Sequence, residues 1–189
     1  LRRALAAHGW RKTTFTVVKT INGVERESQS HEVDHVREFD LDGRVARIAL
    51  EIEWNNKDPF FDRDLENFKR LHAEGVVSVG AIITRGASMQ AALRDLITGW
   101  ARRENIQSFN DLRGRQFKRP TERQEAIVEA RLTRGESFEQ SWAAMFFSDK
   151  YGMATTHWSK LMDRVARGVG NPCPLVLIGL PVTAIDPEN

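Results

Sequence analysis

Three acidic residues in the first third of the chain have the types and spacing that cation-assisted chemistry needs. Glu51 and Glu53 lie two apart in Ala49-Leu-Glu-Ile-Glu-Trp54. In a strand, that spacing sends both carboxylates to one face while Leu50, Ile52 and Trp54 take the other. Adjacent carboxylates repel, so a strand with core character tolerates them when a cation sits between them or the face is solvated. Hard divalent cations such as magnesium prefer oxygen ligands and keep several waters, which suits one or two carboxylates and a phosphate. Asp34 is the best-placed third acid: its strand reaches that of Glu51 through a turn, so hairpin pairing sets the two side by side. On spacing alone, Glu-x-Glu is more often the wet face of an alternating strand, and Asp40 and Asp42 read as turn-formers.

The elements that must hold these acids follow from local pattern. Leu1–Ala7 reads as a helical fragment closed by Gly9, and Thr13–Val18 as a strand from its β-branched content. Asn22-Gly23 signals a hairpin. A strand around His31–Val36, a turn at Asp40–Gly43 and a long strand from Arg44 to Trp54 complete a meander. Leu65, Phe68 and Leu71 predict a helix over Asp62–Glu74 with Gly75 as its C-cap. A buried strand follows over Val76–Thr84, then a helix from about Ser88 to Arg102. Asn105–Pro120 is polar, basic and poorly periodic, and is expected to be a surface loop. Helices are expected over 121–133 and 137–147, the second opened by the capping box Ser137-Phe-Glu-Gln140. A last helix over Thr156–Arg167 ends at Gly168 and Gly170, and a core strand over 174–180 closes the chain. This order predicts an α/β fold with a mixed central sheet flanked by helices, arranged as one domain over 1–189.

Composition narrows the class. With 41% hydrophobic and 29% charged residues, the chain is neither disordered nor membrane-spanning in make-up, and no apolar run reaches bilayer length. Cys173 is the single cysteine, which excludes intrachain disulfides and argues against a thiolate zinc site. A cytoplasmic location is expected, with no signal-peptide pattern; the chain begins at Leu1, which leaves open a natural start upstream. The net charge of +2 attracts polyanions only weakly, so local distribution matters more. Cations gather at Arg2, Arg3, Arg11 and Lys12, and at Arg113, Arg115, Lys118, Arg119 and Arg123, the latter with the composition of a phosphate-tracking loop. The acids concentrate between Glu25 and Glu66.

The run Leu50-Glu-Ile-Glu-Trp-Asn-Asn-Lys-Asp-Pro-Phe-Phe-Asp-Arg-Asp-Leu65, continuing in Val79-Gly-Ala-Ile-Ile-Thr-Arg-Gly86, resembles restriction endonucleases of the BglII and BamHI type, within the PD-(D/E)XK nuclease superfamily. Tyr151-Gly-Met-Ala-Thr-Thr-His-Trp-Ser-Lys-Leu161 and Cys173-Pro-Leu-Val-Leu-Ile-Gly179 extend the likeness to most of 31–180. The resemblance implies Asp34 and Glu51 as metal ligands with the Ile52 carbonyl as a further one, and Glu53 as the residue that positions or deprotonates the attacking water. The BamHI type carries glutamate where most of the superfamily has lysine, as Glu53 does. The shorter Asp-to-Glu separation of the BglII type would select Asp42 in place of Asp34, and Glu25 and Glu27 are candidates for an upstream glutamate.

The resemblance further implies a magnesium-dependent type II restriction endonuclease, manganese substituting, that cuts double-stranded DNA at a short palindrome as a homodimer. A cognate DNA methyltransferase would act in the same system. DNA contacts are expected from Asn55, Asn56, Lys57, Arg85, Thr156, His157 and Lys160, set against readings of Asn55 and Asn56 as a turn, Arg85 as solvated and Thr156 as a helix cap. Asp62 and Asp64 read as first-turn residues of a helix, His31 and His35 as structural, the tryptophans chiefly as core mass, and Cys173 as buried and inert. Two rival functions remain: a weakly specific nuclease within a multi-component defence system, and a DNA-binding module whose acids serve only structure.

Overall fold

The computed structural model describes residues 1–185, which form two compact units. The first comprises 1–85 and 156–180, the second 86–155 and the segment from Pro181 onward. In chain order the elements are α1 (Arg2–Ala7), β1 (Arg11–Ile21), β2 (Val24–Leu41), β3 (Arg44–Glu53), α2 (Pro59–Ala73), β4 (Val79–Arg85), α3 (Ala87–Arg103), α4 (Phe109–Gly114), α5 (Glu122–Leu132), α6 (Phe138–Tyr151), α7 (Trp158–Ala166) and β5 (Leu175–Leu180), followed by a 3-10 turn at Val182–Ala184.

The first unit is built on a five-stranded mixed sheet in the order β1-β2-β3-β4-β5. β1, β2 and β3 pair antiparallel, joined by two tight turns. In each turn both central residues have positive φ: Asn22 and Gly23 at 51° and 79°, Asp42 and Gly43 at 54° and 78°. These are the values that two-residue hairpins require. β3, β4 and β5 pair parallel, so the acidic strand lies where the meander meets the parallel half. β2 is far longer than the expected 31–36 strand, because its N-terminal half needs only β1 as a partner and no apolar face to persist.

α2 lies across one face of the sheet. Phe61, Leu65, Phe68 and Leu71, on its apolar stripe, are fully buried with Val33, Val36, Ala49 and Ile82 of the strands and Leu161 of α7. Each such side chain contributes about 1.5–3 kcal/mol by burial. Phe68 comes so close to β4 that a Cβ on Gly80 would sit 2.5 Å from its ring, so only glycine fits there. The helix starts three residues earlier than expected, because Pro59 at its first turn lacks an N–H that would go unpaired anyway. On the opposite face Leu50, Ala81 and Ile83 pack with Leu5 of α1, Trp10 and Leu180.

The second unit is helical. Its core joins Ala101, Ile106, Leu112, Val128, Trp142 and Met145, and α5 and α6 both open with complete capping boxes, at Thr121 with Gln124 and Ser137 with Gln140. The expected surface loop over Asn105–Pro120 is corrected here: it contains α4, whose N-cap Ser108 accepts from the Asp111 amide. Phe109 and Leu112, three apart, supply the apolar side of this single turn, a spacing masked in the sequence by the surrounding cations.

Candidate active site

Strand geometry places Glu51 and Glu53 together on the α2 side of the sheet, and both are buried, at 6% and 2% exposure. The β2–β3 register, His35 opposite Leu50 and Val36 opposite Ala49, brings Asp34 opposite Glu51 at its next step. The Asp34 amide donates to Glu51 Oε1 at 3.2 Å. Asp34 also lies at a bulge: Arg11 and Thr13 of β1 face Val36 and Val33 of β2, so β2 carries one residue more. Bulges re-aim side chains in this way at functional sites. Asp34, Glu51, Ile52 and Glu53 line one wall of a cleft of about 580 Å³ whose rim includes Arg2, Asn56, Phe60 and Arg63.

The electrostatics of this wall follow from burial. Loss of water, reinforced by the charge of Asp64, pushes the Glu51 carboxyl up to about 8. Glu53 is pushed up to about 7, again mainly by burial, against an opposing hydrogen bond from Asn56, whose Nδ2 donates to Glu53 Oε2 at 2.8 Å. Arg63 reaches Glu53 Oε1 at 3.7 Å and Asp64 Oδ1 at 2.7 Å.

Asp64 is the residue that sequence reasoning missed. It is not a first-turn cap but is 1% exposed and faces the glutamates from α2; one carboxylate oxygen, Oδ2, has no hydrogen-bond partner among the described residues. Burial raises its pKa too. The available signal was spacing: Asp64 stands next to Leu65 and three residues after Phe61, on the buried side of an amphipathic helix.

As placed, no three His, Cys, Asp or Glu side chains among the described residues converge tightly enough to hold a metal unaided. The donors at hand, Asp34, Glu51 and the Ile52 carbonyl, are all hard oxygens. They suit a cation such as magnesium that keeps part of its water shell, and a cation between these buried, mutually repelling carboxylates would offset the cost of their ionised state. Asp42 does not join them. It lies at the β2–β3 turn, and Glu51 is seven residues beyond Arg44 on the far side of that turn, roughly 20 Å or more along the strand. Glu25 and Glu27 lie near the β1–β2 turn, paired with Thr20 and Lys19.

The expected DNA contacts divide by exposure. Asn55, Asn56 and Lys57 are exposed directly after β3, although Asn56 turns its amide to Glu53. Arg85 departs from the expectation: it is 0% exposed. Its Nε donates to the Trp54 carbonyl at 2.7 Å and its Nη2 to the Thr156 carbonyl, while the Thr156 amide donates to the Asn56 carbonyl at 2.8 Å. Arg85 thereby clamps the segment that carries Asn56. Thr156 and His157 are buried as well, and the cap position of α7 is His157, not Thr156. Lys160 is half-buried and pairs with Asp58 at 3.4 Å; Arg164 joins the same acid and Asp62. These residues tie α7 to the start of α2. His31 is buried against Asn67.

A mixed five-stranded sheet with helices on it and carboxylates at the junction of its two halves defines a restriction-endonuclease-like core of the PD-(D/E)XK type. The model of the family described as "Restriction endonuclease BglII/BglIII" matches residues 1–180, and the chain belongs to that family. It is accordingly a nuclease that acts on DNA. No curated protein and no solved structure shows a significant match to the chain. Among the described residues no helix is long and apolar enough to cross a membrane.

Proposed function

We propose that this chain is a type II restriction endonuclease that hydrolyses phosphodiester bonds of double-stranded DNA at a short palindromic site, using magnesium. The observation that carries the reading is the meeting of Asp34, Glu51 and Glu53 on one cleft wall. Asp34, Glu51 and the Ile52 carbonyl would hold the cation. When bound, it supplies a Lewis acid that acidifies water and offsets charge on the phosphate. Glu53, raised to about 7 by burial, is matched to taking a proton from water near neutral pH. Asn56 fixes one oxygen of that carboxylate, leaving Oε1 toward Arg63 and the cleft. Water attacks phosphorus in line with the leaving 3′ oxygen, which takes a proton from solvent as its bond to phosphorus breaks, giving a 5′-phosphate and a 3′-hydroxyl.

Asn55 and Lys57, exposed next to Glu53, are suited to base edges or phosphate near the scissile bond. A cytoplasmic homodimer would match a palindrome, since protein symmetry is mirrored in the site, and a cognate methyltransferase would protect the host's own copies. Incubation of plasmid with the protein and magnesium, followed by sequencing of the ends, tests the reading. Cuts at one recurring sequence support it. Scattered nicks would assign a weakly specific defence nuclease, and DNA binding without any cleavage a non-catalytic module.

A further inference from the structure

A second cavity, of about 570 Å³, lies wholly within the helical unit and has no part in the hydrolysis described above. Its floor is aromatic. Trp142 and Phe146 stack with centroids 5.1 Å apart, and Phe117 meets both edge-on at 5.6 and 5.9 Å. Trp142 is sealed beneath, at 3% exposure, whereas Phe117 and Phe146 are only half-buried and offer ring surface to the cavity. The backbone builds this floor deliberately: Gln116 sits at φ 64°, in left-handed backbone that a side chain adopts at a cost. The next amide, that of Phe117, returns to the Leu112 carbonyl. Phe117 is thereby folded back onto the helical core.

The rim is cationic. Arg115, Lys118, Arg119 and Lys150 all border the cavity. Arg115 is paired with Glu104 at 2.6 Å and Lys150 with Asp149 at 3.0 Å. Lys118 and Arg119 are exposed and have no ion-pair partner among the described residues.

A purely apolar ligand would not draw on these cations, and a bare phosphate would not draw on the rings. Paired duplex DNA offers phosphates but keeps its base faces stacked. The ligand chemistry that satisfies both halves is a planar base attached to phosphate, and aromatic platforms beside cations bind unpaired nucleotides in this way. The volume falls in the range of about 300–1,000 Å³ typical of ligand sites. We propose that this cavity receives an unpaired nucleotide of a DNA strand, its base stacked on Phe117 and Phe146 and its flanking phosphates held by Lys118 and Arg119.

The test measures binding without cleavage, in EDTA, by anisotropy of a short labelled oligothymidylate, with 2-aminopurine in a parallel strand to report stacking. The double substitution Lys118→Ala and Arg119→Ala, on exposed positions, is expected to weaken binding about tenfold or more. Phe117→Leu keeps apolar volume and is expected to weaken it about tenfold and to abolish the change in 2-aminopurine emission. Competition by thymidine monophosphate at high concentration supports a site filled by one base and one phosphate; competition by the oligonucleotide alone supports a site that needs the strand. Unchanged affinity in both variants, with circular dichroism showing them folded, overturns the proposal. So does a change of oligomeric state in the variants with no change in binding, which would make the face a self-association surface. Because no cleavage is required, failure of the plasmid assay and failure of this one are separable.

Discussion

Asn56 turns back on the strand that precedes it: its Nδ2 donates to Glu53 Oε2 at 2.8 Å and holds down a carboxyl that burial drives up. A residue whose type suits adenine recognition thus acts first on the glutamate. Asn56→Ala removes a donor to the ionised form, so the Glu53 pKa rises further. The acid limb of the pH profile of kcat/KM is expected to move up by about half a unit to one unit, with kcat at neutral pH lowered several-fold. Loss of sequence preference with an unmoved acid limb would show that Asn56 serves only DNA.

Asp64 acts on the same carboxyl in the opposite sense. Its charge raises both Glu53 and Glu51. Asp64→Asn is expected to lower both and shift the acid limb downward by about half a unit to one unit. Profiles of Asn56→Ala and Asp64→Asn recorded together make the comparison strict, because a shift in the same direction in both would contradict the arrangement of charges.

The assignment of the cation ligands separates on two aspartates. Asp34→Asn or Glu51→Ala is expected to lower cleavage by about 10²–10³-fold or more, with duplex binding retained. Asp42→Asn, at the hairpin turn, is expected to leave cleavage within about twofold. Near-normal cutting by Asp34→Asn would refute the site.

Arg85 is a structural clamp rather than a groove contact. Its fork joins the Trp54 and Thr156 carbonyls, a geometry that lysine cannot reproduce. Arg85→Lys is expected to cost about 2–4 kcal/mol of stability, measured by denaturant unfolding, and to lower activity through the displaced Asn56 segment. A stable variant with altered target choice would restore the DNA-contact role.

The alternation of Leu50-Glu-Ile-Glu, the two turns with glycine and the Leu65, Phe68, Leu71 stripe carry their structure in short-range pattern, so the meander, α2 and the pairing of Asp34 with Glu51 were legible. Other features depend on tertiary burial. Arg85 reads as a DNA contact, or else a solvated cation, until Trp54 and Thr156 are seen to enclose it, and Asp64 reads as a cap until the glutamates are placed across from it. α4 escaped because six residues give too little period among the cations. Thr156 was expected to open α7, yet its amide serves Asn56, a partner 100 residues away in the chain that no local rule supplies.

The raised glutamates also tie stability to pH. Glu51 and Glu53 have folded-state pKa values of about 8 and about 7 against a usual 4.5. Over the interval between, the folded chain binds protons that the unfolded chain has lost. Their contribution to stability is therefore fully present below about pH 4.5 and is lost as pH rises through 7 and 8. In EDTA the melting temperature is expected to fall between pH 6 and pH 8.5. Glu51→Gln removes the larger of the two responses, so its stabilising effect is expected to be greater at pH 8.5 than at pH 6 by about 2 kcal/mol, roughly 4–8 °C. Magnesium binds the ionised carboxylates of the native chain, so its stabilising effect is expected to be greater at pH 8.5 than at pH 6. Differential scanning fluorimetry with and without the cation measures both slopes. A wild-type melting temperature that is flat or rising in EDTA over this range would mean that Glu51 and Glu53 are already ionised without a cation, and that the cleft holds their charge by other means.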